Sequence, residues 1–248
     1  MKTLHTIVIL LLFVALNGFS QTSSSVKVFE KDTIATSKGN LVITFIGHAS
    51  LMIQAGNRII YTDPVMKEAD YSTFPKADLI LVTHEHVDHF DKKAIDFITQ
   101  PLTVTLISQS CKGMIDLALM FVNGQKETFG DIKIEAVPAY NIVHKRSDGI
   151  PYHPKGNGNG YVINYGGKRI YVAGDTENIP EMAKLKHIDI AFLPMNIPYT
   201  MTPQMVADGA KSFMPTILYP YHYSETNPQL IADLLKDSTI KVRIRRMR

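Results

Sequence analysis

Leu79-Ile80-Leu81-Val82-Thr83-His84-Glu85-His86-Val87-Asp88-His89 joins four consecutive aliphatic residues to a run of ionisable ones. An unbroken apolar run of that length, entered and left through polar residues, fits a short strand covered on both faces. Beyond Thr83 the chain presents three of its nine histidines within six positions. Alternate side chains of an extended segment point the same way, so His84 and His86 can share one cation. Asp88 and His89 stand where the chain turns and can reach a second cation nearby. Burying so many ionisable groups at a strand end without a counter-charge would be costly. A solvated polar turn accounts for the residue types but not for their spacing.

Working outward, residues 41–46, 50–54 and 58–62 alternate or run apolar, with Gly47 and Ala55-Gly56-Asn57 as turns, which predicts a β meander. Downstream, a helix over 91–99 and a strand over 103–108 complete a β-α-β step. The second half repeats this grammar, with strands at 132–137, 161–165 and 169–173, a short helix from Pro180, and a strand at 189–193. A helix follows, opened by Thr202 as N-cap and Pro203 at its first position. A strand at 216–219, a helix at 228–235 and a final strand at 241–246 end the chain. Two similar halves predict two sheets packed face to face with helices outside. No fixed short period is present, which excludes a solenoid. The glycine-rich 155–160 lacks the Gly-Lys-Ser/Thr ending of a phosphate loop and reads as a flexible rim.

With 248 residues, 45% of them hydrophobic, the chain can bury a substantial core. Residues 1–20 read as a secretory signal: Lys2 supplies the charged start, 7–16 the apolar run, and Gly18-Phe19-Ser20 the cleavage spacing. The run is too short for a membrane span, which needs about 20 residues. The expectation is one domain over 21–248, periplasmic or secreted, with no stable membrane span after cleavage. Cys111 has no partner in the chain and reads as a buried thiol. The net charge of +3 is small, and the basic end (Lys241, Arg243, Arg245, Arg246, Arg248) alternates with Val242 and Ile244. A last strand with one solvated face explains it. No nucleic-acid-binding signature accompanies the charge, so no nucleic-acid partner is expected, and no pattern speaks to oligomeric state.

The motif His84-x-His86-x-Asp88-His89 resembles the signature of the metallo-β-lactamase superfamily. Four further stretches extend the likeness over nearly the whole mature chain. They are Phe45-Ile46-Gly47-His48-Ala49-Ser50, Thr62-Asp63-Pro64, Ala173-Gly174-Asp175-Thr176-Glu177 and Tyr219-Pro220-Tyr221-His222. They resemble the branch of L-ascorbate-6-phosphate lactonase-like proteins and N-acylphosphatidylethanolamine phospholipase D. The resemblance implies an α+β fold, a four-layer αββα sandwich with a metal centre at one edge. It also implies hydrolysis of an ester, lactone, phosphodiester or amide.

By that resemblance His84 and His86 serve a first metal, Asp88 and His89 a second, Asp175 bridges them, and His222 completes the second site. Read alone, Asp175 is equally a turn aspartate and His222 a packed polar ring. The chain departs from the pattern at Pro138-Ala139-Tyr140-Asn141, where many relatives carry a histidine at the fourth position. Asparagine is a poor zinc ligand. His153 is the first candidate to replace it, since similar proteins pair such an asparagine with such a histidine, and His144 is the second. His48 reads either as a hydrogen-bond donor beside the metals or as an ordinary turn residue. Asp63 reads as a buttress of the histidine loop.

Together these readings predict a hydrolase in which metal-activated water attacks an ester, lactone or phosphodiester of a small-molecule substrate, with Asp88 orienting the nucleophile. Mixed imidazole and carboxylate ligands suit zinc, one ion or two, then manganese. Lys145, Arg146 and Lys155 are candidates to meet an anionic substrate. The alternative is an exported metal- or ligand-binding protein that kept the fold with little catalysis, suggested by Asn141.

Overall fold

The computed structural model describes residues 27–248, so the expected leader at 1–20 lies outside the described part. The first half runs β1 (Glu30–Thr36), β2 (Gly39–Gly47), β3 (Ser50–Ala55), β4 (Arg58–Thr62), β5 (Leu79–Val82), helix α1 (Lys92–Ile98), β6 (Val104–Ile107) and β7 (Leu119–Met120). The second runs β8 (Lys126–Phe129), β9 (Ile132–Ala139), β10 (Gly158–Tyr165), β11 (Lys168–Val172), β12 (Ile190–Pro194), α2 (Pro203–Phe213), β13 (Ile217–Tyr221), α3 (Gln229–Leu234) and β14 (Lys241–Val242). Each half forms one seven-stranded sheet. In both, four antiparallel strands are followed by three added in parallel.

The sheets face each other across one apolar core, and helices cover their outer faces, giving an αββα sandwich. β5 shows why its sequence is continuously apolar. Leu79 and Leu81 point into the core between the sheets, while Ile80 and Val82 pack outward against Ala94, Ile95 and Ile98 of α1. Fully burying such side chains contributes about 1.5–3 kcal/mol each. Phe192 and Tyr219 stack at 5.0 Å in the second sheet, and Phe45 from the first lies 5.0 Å from Tyr219.

Helix starts follow their side-chain chemistry. Asp91 accepts from the Lys93 and Ala94 N–H groups at the head of α1, and Thr202 accepts from Met205 N–H ahead of Pro203 in α2. No described helix is long and apolar enough to cross a membrane. Cys111 is buried, and burial pushes its thiol up to about 11.

Several expectations are corrected. The final strand spans only Lys241–Val242, not 241–246, because Arg243 and Arg245 turn inward to the carboxylate of Asp32. The short helix expected from Pro180 is present, as a 3-10 helix over Pro180–Lys184. The glycine-rich 155–160 is not all rim, since Gly158-Asn159-Gly160 extend β10. Gly160 is required there: a Cβ would stand 2.8 Å from the Ala173 carbonyl oxygen. Strands β1, β7 and β8 carry no apolar alternation strong enough to have been expected.

The two sheets touch through hydrogen bonds at the end of β5. The Tyr161 hydroxyl donates to the Val82 carbonyl at 2.7 Å, and Asn159 N–H donates to the Thr83 carbonyl at 2.9 Å. The histidine-bearing loop therefore leaves the first sheet directly against the second.

Candidate metal centre

Thr83 ends the buried strand, and the following residues place two donor sets at the seam between the sheets. In one set, His84 Nε2 and His153 Nε2 each lie 3.2 Å from His86 Nδ1. Nitrogens bound tetrahedrally to zinc at 2.0–2.1 Å stand about 3.3 Å apart, so this spacing fits one cation. In the other set, His48, Asp88, His89 and His222 each offer an atom within 4.8 Å of the rest.

Asp175 lies between the sets. Its Oδ2 is 3.3 Å from His153 Nε2 and 3.4 Å from His222 Nε2, and its Oδ1 is 3.3 Å from His89 Nε2. Gly174 delivers it on a left-handed turn (φ 65°) whose Cβ would meet the Asn159 carbonyl at 2.5 Å. His89 Nε2, His222 Nε2 and Asp175 Oδ1 are buried without a hydrogen-bond partner among the described residues. Each such orphan costs about 1–3 kcal/mol, and a cation would satisfy all three. The donor chemistry therefore fits metal.

Neighbouring groups aim the donors. Asp63, fully buried, accepts from Thr83 N–H at 2.8 Å and from the Thr83 hydroxyl at 2.7 Å, and its Oδ2 faces His89 Nδ1 at 2.8 Å. His89 thus carries its proton on Nδ1 and turns Nε2 inward. With its own proton committed to Asp63, the Thr83 hydroxyl accepts from His84 Nδ1 at 3.0 Å, which frees His84 Nε2. His48, Asp63 and His222 hold positive φ without being glycine, at 52°, 44° and 47°. Such strain gathers where surrounding structure over-determines a site.

Electrostatics differ between the sets. Burial holds His84 well below the usual imidazole range and pushes His153 down to about 4. Burial also opposes charge on His89 and His222, but Asp175 outweighs it, keeping His89 well above its usual value and raising His222 to about 9. Burial likewise works against charge on Asp88 and Asp175. The His222 ring, 3.6 Å from Asp88, and a hydrogen bond from His48 overcome it at Asp88, as the charge on His222 does at Asp175, so both carboxylates stay far below their usual range.

A family model described as the beta-lactamase superfamily domain matches residues 42–222, from β2 to the last histidine of the second set. The chain belongs to the metallo-β-lactamase superfamily. A UPF0173 metal-dependent hydrolase of Thermococcus kodakarensis is 32% identical over 201 residues, covering 75% of this chain and 86% of that one. A solved structure described as a metal-dependent hydrolase from Parabacteroides distasonis is 48% identical, with a TM-score of 0.86, covering 89% of this chain and all of that one. A metallo hydrolase of Ignicoccus hospitalis shares the fold, with a TM-score of 0.66 at 24% identity over 84% of this chain and 95% of that one. Like these relatives, the chain is a metal-dependent hydrolase.

In this member of the metallo-β-lactamase superfamily, all seven residues expected as ligands, His84, His86, Asp88, His89, His153, Asp175 and His222, meet in one cluster. His144 stands apart, its Nδ1 2.6 Å from Glu177. Asn141 offers nothing to the cluster directly; its Oδ1 accepts from His153 Nδ1 at 2.7 Å. His48 reaches Asp88 Oδ2 at 3.1 Å, and its ring lies 3.8 Å from that of His222, tilted by 41°. Its chain position alone could not separate this placement from an ordinary turn.

An open cleft of about 540 Å³ leads to the cluster, lined by His86, Asp88, Arg146, Tyr152, Tyr199 and His222 among others. Of the three basic rim residues, Arg146 alone lines it. Lys155 is drawn away, 2.7 Å from Glu181 and over the Tyr140 ring.

Proposed function

We propose that the chain hydrolyses a small anionic ester, lactone or phosphodiester with two transition-metal ions. His84, His86 and His153 would hold one ion, Asp88, His89 and His222 the other, and Asp175 would be shared. The carrying observation is the position of the Asp175 carboxylate, within 3.4 Å of nitrogens from both sets. Imidazole with carboxylate suits zinc first and manganese second. When bound, such ions acidify water and polarise the oxygen of the attacked group.

The chain's own residues supply orientation and recognition. Asp88 opens to the cleft with its carboxylate 40% exposed and fixed by His48, a place from which it orients the attacking water. Arg146 donates to the Tyr152 carbonyl at 3.3 Å and keeps its remaining donors for a carboxylate or phosphate. Tyr152 and Tyr199, edge to face at 5.1 Å, offer an apolar wall beside it. The leader reading at 1–20 puts this activity in the periplasm or outside the cell, with the mature chain beginning near Gln21.

The test is metal analysis of the purified protein, followed by a panel of matched charged and neutral ester, lactone and bis-phosphodiester substrates with and without chelator. Stoichiometric metal and chelator-sensitive turnover are expected. Arg146→Met should raise KM about tenfold for the charged members only, the size of one lost charge-assisted hydrogen bond. Stoichiometric metal with no chelator-sensitive turnover would favour a binding protein instead. N-terminal sequencing of exported protein tests the leader.

A further inference from the structure

His84 and His86 are carried by the end of a strand, but His153 sits in the long connection between β9 and β10. A ligand on a loop needs something to hold the loop. Glu177, two residues beyond Asp175 and 1% exposed, meets that need. Its carboxylate accepts the backbone N–H groups of Ile142, Val143 and His144, each at 2.7 Å, and the Asn141 amide at 3.1 Å. His144 Nδ1 closes the ring of donors at 2.6 Å.

Asn141 passes this order on. Its Nδ2 faces two acceptors, Glu177 Oε1 and the Tyr199 carbonyl at 2.9 Å, so its oxygen must point the other way. That oxygen accepts from His153 N–H at 3.0 Å and from His153 Nδ1 at 2.7 Å. With its proton on Nδ1, His153 turns a bare Nε2 toward His86 and Asp175.

We propose that Glu177 is a positioning residue for the first metal. It clasps the loop over 141–153, and through Asn141 it sets the tautomer and direction of His153. The inference rests on the ligand set proposed above. One short segment thereby supplies both the shared carboxylate, Asp175, and the clasp for a ligand that the strands do not carry. The same loop presents Arg146 and Tyr152 to the cleft, so occupancy of the first metal and the shape of the rim depend on one clasp.

The experiment titrates zinc into metal-stripped full-length mature protein against a chromophoric chelator, and repeats the titration with cobalt to read each site's visible spectrum. Variants are Glu177→Gln, Asn141→Ala, His153→Ala and, as a control on a carboxylate away from the site, Glu135→Gln in β9. In Glu177→Gln and Asn141→Ala one site should weaken about 10–100-fold while the other holds, the range for groups that orient a ligand. The altered cobalt bands should be those that His153→Ala removes. Glu135→Gln should match the parent at both sites. In the metal-free protein, imidazole nitrogen NMR should show His153 protonated on Nδ1 in the parent and mixed in Asn141→Ala.

Parental affinity at both sites in folded Glu177→Gln and Asn141→Ala would overturn the proposal. If Glu177→Gln fails to fold, Asn141→Ala decides alone, since it keeps the three backbone N–H bonds to Glu177 while cutting the link to His153. Should His153→Ala keep both metals, the ligand assignment itself fails; if it loses one and the other two variants lose none, only the clasp is wrong.

Discussion

Replacing Asp63 by asparagine changes one atom of a fully buried side chain, and its effects can be worked out donor by donor. Asp63 takes three hydrogen bonds, from Thr83 N–H, the Thr83 hydroxyl and His89 Nδ1. The asparagine oxygen can keep the first. Its new NH₂ then faces the hydroxyl, which can rotate to accept, and His89 Nδ1, which can accept only by moving its proton to Nε2. Nε2 is the atom turned toward Asp175, so the substitution places a proton where a cation would bind. Restoring the original tautomer would set two donors against each other.

The loss of one charge-assisted bond is worth about 1.5–3 kcal/mol. For a domain of this size that lowers Tm by roughly 3–12 °C, at 2–4 °C per kcal/mol. Affinity at the second donor set should fall about 10–100-fold, with a smaller loss at the first, whose His84 is aimed through the same Thr83 hydroxyl. Thermal melts of metal-free protein, zinc titration and imidazole nitrogen NMR measure the three effects. An Asp63→Asn protein that folds, binds both metals as the parent does and keeps His89 protonated on Nδ1 would refute the reasoning.

Asp88→Ala should abolish chelator-sensitive turnover while the protein still folds, read as a cooperative urea transition, because the side chain is 40% exposed and lies outside both apolar clusters. Asp32→Asn tests the link between β1 and the end of the chain. Burial favours the neutral acid, but hydrogen bonds from Tyr219, Arg245 and Arg243 hold Asp32 below the usual carboxylate value. Its stabilisation is therefore complete above the unfolded value of about 3.9 and drains away as pH falls through the lower folded value. Urea midpoints of parent and Asp32→Asn should differ at pH 7 and converge below pH 4; a constant gap would contradict the linkage.

Much of the sandwich was legible because its strands announce how many faces they bury. β5 is aliphatic at every position since both of its faces are covered, and β12 and β13, with aromatic residues among the aliphatic ones, are likewise buried throughout. Helix starts at Asp91 and Thr202 were legible from capping chemistry, which is local. β1 was not: EKDTIAT presents charged residues, and Asp32 is satisfied by arginines more than 200 positions away. Those same arginines made the chain's end look like a longer strand. At the site, His84, His86, Asp88 and His89 lie close enough in sequence to speak for themselves. His153, Asp175 and His222 needed a family likeness, because only folding brings them to the others. Glu177 stood in a stretch that carried the likeness, but nothing pointed to its role, its work being done on backbone N–H groups that any residues could supply.

The segments that meet at the seam come from opposite halves of the chain. His48, His84, His86, Asp88 and His89 belong to the first, and His153, Asp175 and His222 to the second. A polypeptide cut near residue 123 would leave each fragment with an unfinished coordination sphere. Zinc uptake would then report reassembly, appearing only when the complementary fragments are mixed and fading when either is withheld.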